Sequence, residues 1–181
     1  MVRFALSLIL ATAGMASTPV IAQPISQADR ATIGERITSF DTMMKEGRTS
    51  DSLDFVPPHL LDTIAKKFGV PVATFKSSFG AQIAAVMKDV KFVSFRMDLS
   101  AAKEGVTPDK SRNYLLVPTE TVIETGGAGR LLSKNSTLAL KDGGKWYLVR
   151  IDSAQQVVML REAYPEFEGV EFPTGSMTPV K

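Results

Sequence analysis

The apolar residues of this chain change period near residue 90, and that change limits the fold more than any other feature of the sequence. Before it they recur every three or four residues, the spacing of an amphipathic helix. From there to about residue 152 they recur every second residue, the spacing of a strand with one dry face. Helices first and strands afterwards make an α+β chain, in which N-terminal helices cover one face of a curved antiparallel sheet.

The helical part divides at its glycines and prolines. Ile33, Ile37, Phe40 and Met44 form one stripe over residues 26–46, with Ser26 placed as N-cap and Gly47 as stop. Residues 48–58 read as a linker, because Pro57 and Pro58 disfavour helix in the residues before them. Leu60, Leu61, Ile64 and Phe68 form a second stripe closed by Gly69. Pro71 opens a third helix, whose expected buried face is Phe75, Phe79, Ile83, Val86 and Met87.

Four strands are expected next, as a meander. In residues 90–99, Val93, Phe95, Met97 and Leu99 alternate with Ser94, Arg96 and Asp98. Residues 112–125 make a longer strand, and its Pro118 predicts a bulge, a bend or an edge position. Gly126, Gly127 and Gly129 turn the chain into residues 130–141, and Asp142, Gly143 and Gly144 turn it into residues 145–152. Ser153 with Gln156 forms a capping box before a helix carrying Val157, Leu160 and Tyr164, which Pro165 ends. From about 165 onward the chain reads as an irregular tail. Its aromatics Tyr164, Phe167 and Phe172 are expected to pack on the domain, and residues 174–181 to be mobile.

Residues 1–22 read as an export signal. Arg3 precedes a short apolar run over residues 4–14, and Val20 and Ala22 are small residues at the −3 and −1 positions of a cut. The expected product is a single periplasmic domain over residues 23–181, with no stable membrane anchor. Cysteine is absent, which removes disulfides and thiolate chemistry. The net charge of +2 is spread among interspersed residues and makes no basic stripe for nucleic acid. One histidine, His59, stands alone at a helix start, so no zinc site, triad or cofactor is expected.

Two short motifs invite sharper readings. Residues 61–80 (LDTIAKKFGVPVATFKSSFG) resemble the DNA-binding helix-turn-helix family at Ala65, Gly69, Val70 and Phe75. The second helix, however, offers only Lys76 and Gln82 as donors for phosphates and base edges, so a structural hairpin is expected. Residues 126–130 (GGAGR) precede a strand rather than a helix, so they read as a hairpin turn and not a phosphate cradle.

The order of elements, and the turn and strand over residues 141–152 (KDGGKWYLVRID), resemble the cone-shaped nuclear-transport-factor-2-like superfamily. That resemblance implies a cone-shaped fold, shared by proteins that include enzymes, ligand binders and assembly modules. The first expectation for function is an exported, non-catalytic binding or assembly module for a small apolar ligand or an envelope protein. The alternative is a small enzyme of isomerase, dehydratase or hydrolase type with a strand carboxylate as base. Arg96, Asp98, Glu120, Glu124, Arg150 and Asp152 are the polar strand residues available, and Glu120, just after Pro118, is the catalytic candidate. Of Trp146 and Tyr147, one faces the core and the other the opposite side.

Overall fold

Three helices precede the sheet and one follows its main part, in a computed structural model that describes residues 23–127 and 129–180. The segment read as an export signal lies outside the described residues. Helix α1 spans Gln27–Lys45, a 3₁₀ segment spans Thr49–Phe55, and α2 and α3 span Pro58–Lys67 and Val72–Met87. Ser26 caps α1 through a reciprocal pair with Asp29. Gly69, at φ +65°, ends α2 in a Schellman turn, with Val70 N–H donating to the Ala65 carbonyl at 3.2 Å and Gly69 N–H to Lys66 at 3.0 Å. The segment that resembles a DNA-binding motif is thus a helical hairpin, joined through Leu61, Ala65 and Phe75 to the 3₁₀ residue Leu53.

Strands β1 (Val90–Met97), β2 (Lys103–Val106), β3 (Asn113–Thr125), β4 (Gly129–Asp142), β5 (Lys145–Ile151) and β6 (Ser176–Val180) form one antiparallel sheet. The expected meander is its main path, β1-β3-β4-β5. Its centre is the long β3–β4 hairpin, paired without a register shift from Tyr114↔Leu140 to Thr125↔Gly129. Each side of the hairpin is shared by two shorter strands. Beside β3, β1 pairs with residues 119–125 and β2 with residues 113–116. Beside β4, β5 pairs with residues 136–142 and β6 with residues 130–134.

Pro118 produces no bulge in β3, for a geometric reason. Its carbonyl accepts from Asp98 N–H at 2.9 Å on the β1/β2 side, and a residue's N and C=O point the same way from a strand. The missing donor therefore faces the gap between β1 and β2, where no partner strand needs it. The bulge lies in β1 instead, between Phe92 and Ser94. It breaks the expected alternation, so Phe92, Phe95 and Met97 point inward while Val93 is exposed.

Helix α1 and the 3₁₀ segment cover the inner face of the sheet, where Ile33, Met43, Phe55, Leu115, Val117, Ala139, Trp146 and Leu148 pack together. Trp146 is the inward member of its pair. Its indole donates to Asp29 at 2.8 Å and ties the start of α1 to the β4–β5 turn, with Lys141 3.0 Å from the same oxygen. The other face, at the same end of the sheet, is closed by α4 (Ala154–Ala163) and the chain after it. Leu138, Leu140, Val149, Ile151, Leu160, Tyr164, Phe167 and Val170 form that core. The capping box of Ser153 and Gln156 opens α4 as expected.

Two expectations need correction. The tail is not irregular throughout: Pro165–Phe167 is a 3₁₀ turn, and Ser176–Val180 is a strand on β4 rather than a mobile end. Gly175 makes this possible, because a Cβ there would lie 2.6 Å from the Asp152 Cβ and 3.4 Å from the Lys134 carbonyl. The aromatics do pack, with Phe167 fully buried. The second correction concerns Phe68, Phe79 and Val86, which are exposed. Only Phe75 of that surface is buried, and Phe68 and Phe79 stack on its ring at 5.8 and 5.2 Å from outside.

Candidate functional site

Along β3 the inward positions run Leu115, Val117, Thr119, Thr121, and along β4 they run Ala139, Thr137, Asn135, Ser133. Leu115, Val117 and Ala139 are apolar and packed by α1. The rest are polar, and above them the helices do not close on the sheet. A cavity of about 310 Å³ remains there. Its apolar walls include Phe40 and Met44 of α1, Leu53 and Val56, Ile83 and Met87 of α3, and Phe92, Phe95 and Met97 of β1. Its floor is Thr119, Thr121, Asn135, Thr137 and Arg150.

The floor is a hydrogen-bonding surface with defined polarity. Thr119 donates its single hydroxyl proton to the Val117 carbonyl at 3.1 Å, so in the 2.8 Å contact between Thr119 and Thr137 the proton comes from Thr137. Ser133 Oγ accepts from Asn135 Nδ2 at 3.4 Å and from Arg150 Nη2 at 3.3 Å, so amide and guanidinium converge on one hydroxyl. Asn135 Oδ1 is buried and has no partner. Such an acceptor costs about 1–3 kcal/mol when nothing donates to it. Arg150 is half-exposed, marks the rim, and pairs with Asp152. None of the lining residues is Asp, Glu or His.

Glu120 stands elsewhere. Its strand neighbours Thr119 and Thr121 face the cavity, so it projects from the opposite face, where it is in register with Arg96 and Lys134. Lys134 Nζ lies 2.8 Å from its carboxylate and holds its pKa below the ordinary value, whereas a general base working near neutrality needs a raised one. Glu124 likewise pairs with Arg130, and Arg96 with Asp98. His59 is exposed beside the Tyr164 ring at 5.3 Å. Of the six polar strand residues named from the sequence, only Arg150 reaches the cavity. The signal for the others was present: extending the apolar phase of Leu115 and Val117 by two steps gives Thr119 and Thr121.

A second hollow of about 450 Å³ lies between α4 and the tail, near Val157, Arg161, Val170 and Phe172. Its one cationic group is engaged by the protein itself, since Arg161 donates to the Val170 carbonyl at 3.1 Å and pairs with Glu168. Among the described residues, no group of three or more His, Cys, Asp or Glu could hold a metal ion, and no helix is long and apolar enough to cross a membrane. Comparison of the chain with protein-family models, with curated proteins and with solved structures gives no significant match, so the geometry of this cavity is the ground on which function must be argued.

Proposed function

We propose that this protein is a non-catalytic binding module whose cavity holds a small, largely apolar ligand. The observation that carries this reading is the cavity itself: about 310 Å³, walled by aliphatic and aromatic side chains, with a few convergent polar groups on one side. Leaving this much apolar surface uncovered costs free energy in a fold that serves only to present its outer surface. General acid–base catalysis needs a proton carrier within hydrogen-bond reach of the reacting group, and the lining offers no carboxylate or imidazole for it. With residues 1–22 read as an export signal, the ligand is met in the periplasm. Membership of the nuclear-transport-factor-2-like superfamily is part of this proposal and rests on the order of elements read from the sequence.

An environment-sensitive apolar dye such as N-phenyl-1-naphthylamine tests the reading. Its fluorescence should rise and saturate with the parent protein. Ile83→Trp, which fills the cavity from α3, should abolish the rise while leaving the far-ultraviolet circular dichroism intact. A parent protein that leaves the dye dark would remove the reading.

A further inference from the structure

We propose that the cavity selects an electrically neutral ligand, an aliphatic chain bearing one carbonyl or hydroxyl group, and that Asp152 enforces this choice by engaging Arg150 where an anionic head group would otherwise sit. This deepens the binding reading above and rests on it.

Arg150 is the only ionisable group lining the cavity among the described residues. Its Nε–H donates to Asp152, so the rim carries a closed ion pair in place of a free cation. Asp152 is held for that contact through both sides of its main chain: its N–H donates to Gln156 Oε1 at 2.8 Å, and its carbonyl accepts from Gly175 N–H at 3.3 Å. Its side chain is only 20% exposed, against 52% for Arg150. A carboxylate entering the cavity would meet one cation and one anion together, and would lose its water with no net opposite charge to replace it. An ammonium fares no better, because no carboxylate lines the cavity and Asp152 is already engaged by Arg150.

The polar groups that remain for a ligand are hydroxyls. Thr121 on β3 and Thr49 at the start of the 3₁₀ segment both line the cavity, and both are more than nine-tenths buried, at 8% and 7% exposure. Thr119 and Thr137 bond each other, whereas neither Thr121 nor Thr49 has a hydrogen-bond partner for its hydroxyl among the described residues. A buried hydroxyl without a partner costs free energy that a neutral oxygen in the ligand removes. It can donate to a carbonyl or accept from an alcohol, and neither role needs a charge. The remaining walls are apolar, and a volume of about 310 Å³, the liquid volume of about ten water molecules, suits a chain of medium length.

The test displaces N-phenyl-1-naphthylamine from the full chain at neutral pH with 2-nonanone, nonanoate and nonylammonium, three probes of one chain length that differ in charge, each kept below the concentration at which it aggregates. The ketone should displace the dye at roughly tenfold lower concentration than either ion. Asp152→Asn should lower the concentration of nonanoate needed by about tenfold, the value of a hydrogen bond to a freed cation, and leave the ketone and the ammonium where they were. Thr121→Val combined with Thr49→Val should raise the concentration of ketone needed several-fold. An ion as effective as the ketone in the parent protein would overturn the neutral-ligand assignment while leaving the binding reading in place. An Asp152→Asn variant in which nonanoate gains nothing, or in which all three probes weaken alike, would overturn the part given to Asp152. An unchanged ketone in the double valine variant would overturn the part given to the hydroxyls. Absence of any dye binding would remove both readings. The comparison of the three probes in the parent protein decides the matter of charge even where a variant folds poorly.

Discussion

The two halves of the β3–β4 hairpin use one continuous ladder for opposite ends. Near the β4–β5 turn, Leu115, Val117 and Ala139 face α1 on one side, and Leu138 and Leu140 face α4 and Phe167 on the other, so the strands are dry on both faces. Near the β3–β4 turn, the inner face carries hydroxyls, an amide and a cavity, and the outer face carries cross-strand ion pairs. The first half gains free energy from burial. The second accepts an incompletely filled interior and is held in place by the register it shares with the first. A rigid half that positions a less stable, ligand-sized half is how a small domain keeps a cavity open without losing its fold.

The sharpest way to break this comparison is to truncate an aromatic in each half. Phe167→Ala, in the dry half against Tyr114 and Phe172, should cost about 3–5 kcal/mol in urea unfolding. Phe95→Ala only enlarges a hollow that already exists, and should cost less than half of that. Similar losses would mean that the two halves are packed alike.

Asp29 anchors α1 over the dry half. The Ser26 hydroxyl first, then the Trp146 indole and the Lys141 ammonium, hold its carboxylate well below the usual range. Asp29→Asn should cost about 1–2 kcal/mol at pH 7. Because the folded pKa is depressed, this stabilisation is fully present above the ordinary value near 3.8 and is lost as the pH falls below it. Unfolding midpoints of parent and variant should therefore converge in acid, and a gap constant down to pH 2 would contradict the assignment.

In the open half, Thr137→Val removes the proton donated to Thr119 and should cost about 1 kcal/mol. The double variant with Thr119→Val should cost less than the two single changes together, since it leaves no hydroxyl unpaired. Strict additivity in a double-mutant cycle would show that the two groups are uncoupled. The smallest effect belongs to Glu120→Gln on the outer face, where neither the unfolding midpoint nor dye binding should move measurably. A loss of binding there would return Glu120 to the site.

Much of this framework was legible before any coordinates. Ser26, Gly69, Ser153 and the glycine turns mark element boundaries because caps and turns are local chemistry, written in adjacent residues. Val93 was misread because a bulge is fixed by the partner strand and leaves no mark in the alternation itself. The fate of Phe79 and Val86 depended on how far the 3₁₀ segment reaches along α3, which is tertiary information. Strands β2 and β6 are too short to show a period. The polar floor was missed for another reason: Thr119, Thr121 and Asn135 occupy inward positions, and polar residues on a strand are ordinarily assigned to the wet face.

Strand β6 has a consequence for solubility. Where β5 ends, residues 130–134 of β4 would otherwise present a row of backbone donors and acceptors to any extended chain in reach, the usual starting point for edge-to-edge aggregation. β6 covers that row and replaces it with an edge of only five residues, one of which, Pro179, has no N–H to offer. Since Gly175 fits β6 into place against Asp152, a bulky side chain at that single position would both crowd the cavity rim and strip the cover from the sheet. Self-association on such a substitution would come from the polypeptide backbone, with no new apolar surface required.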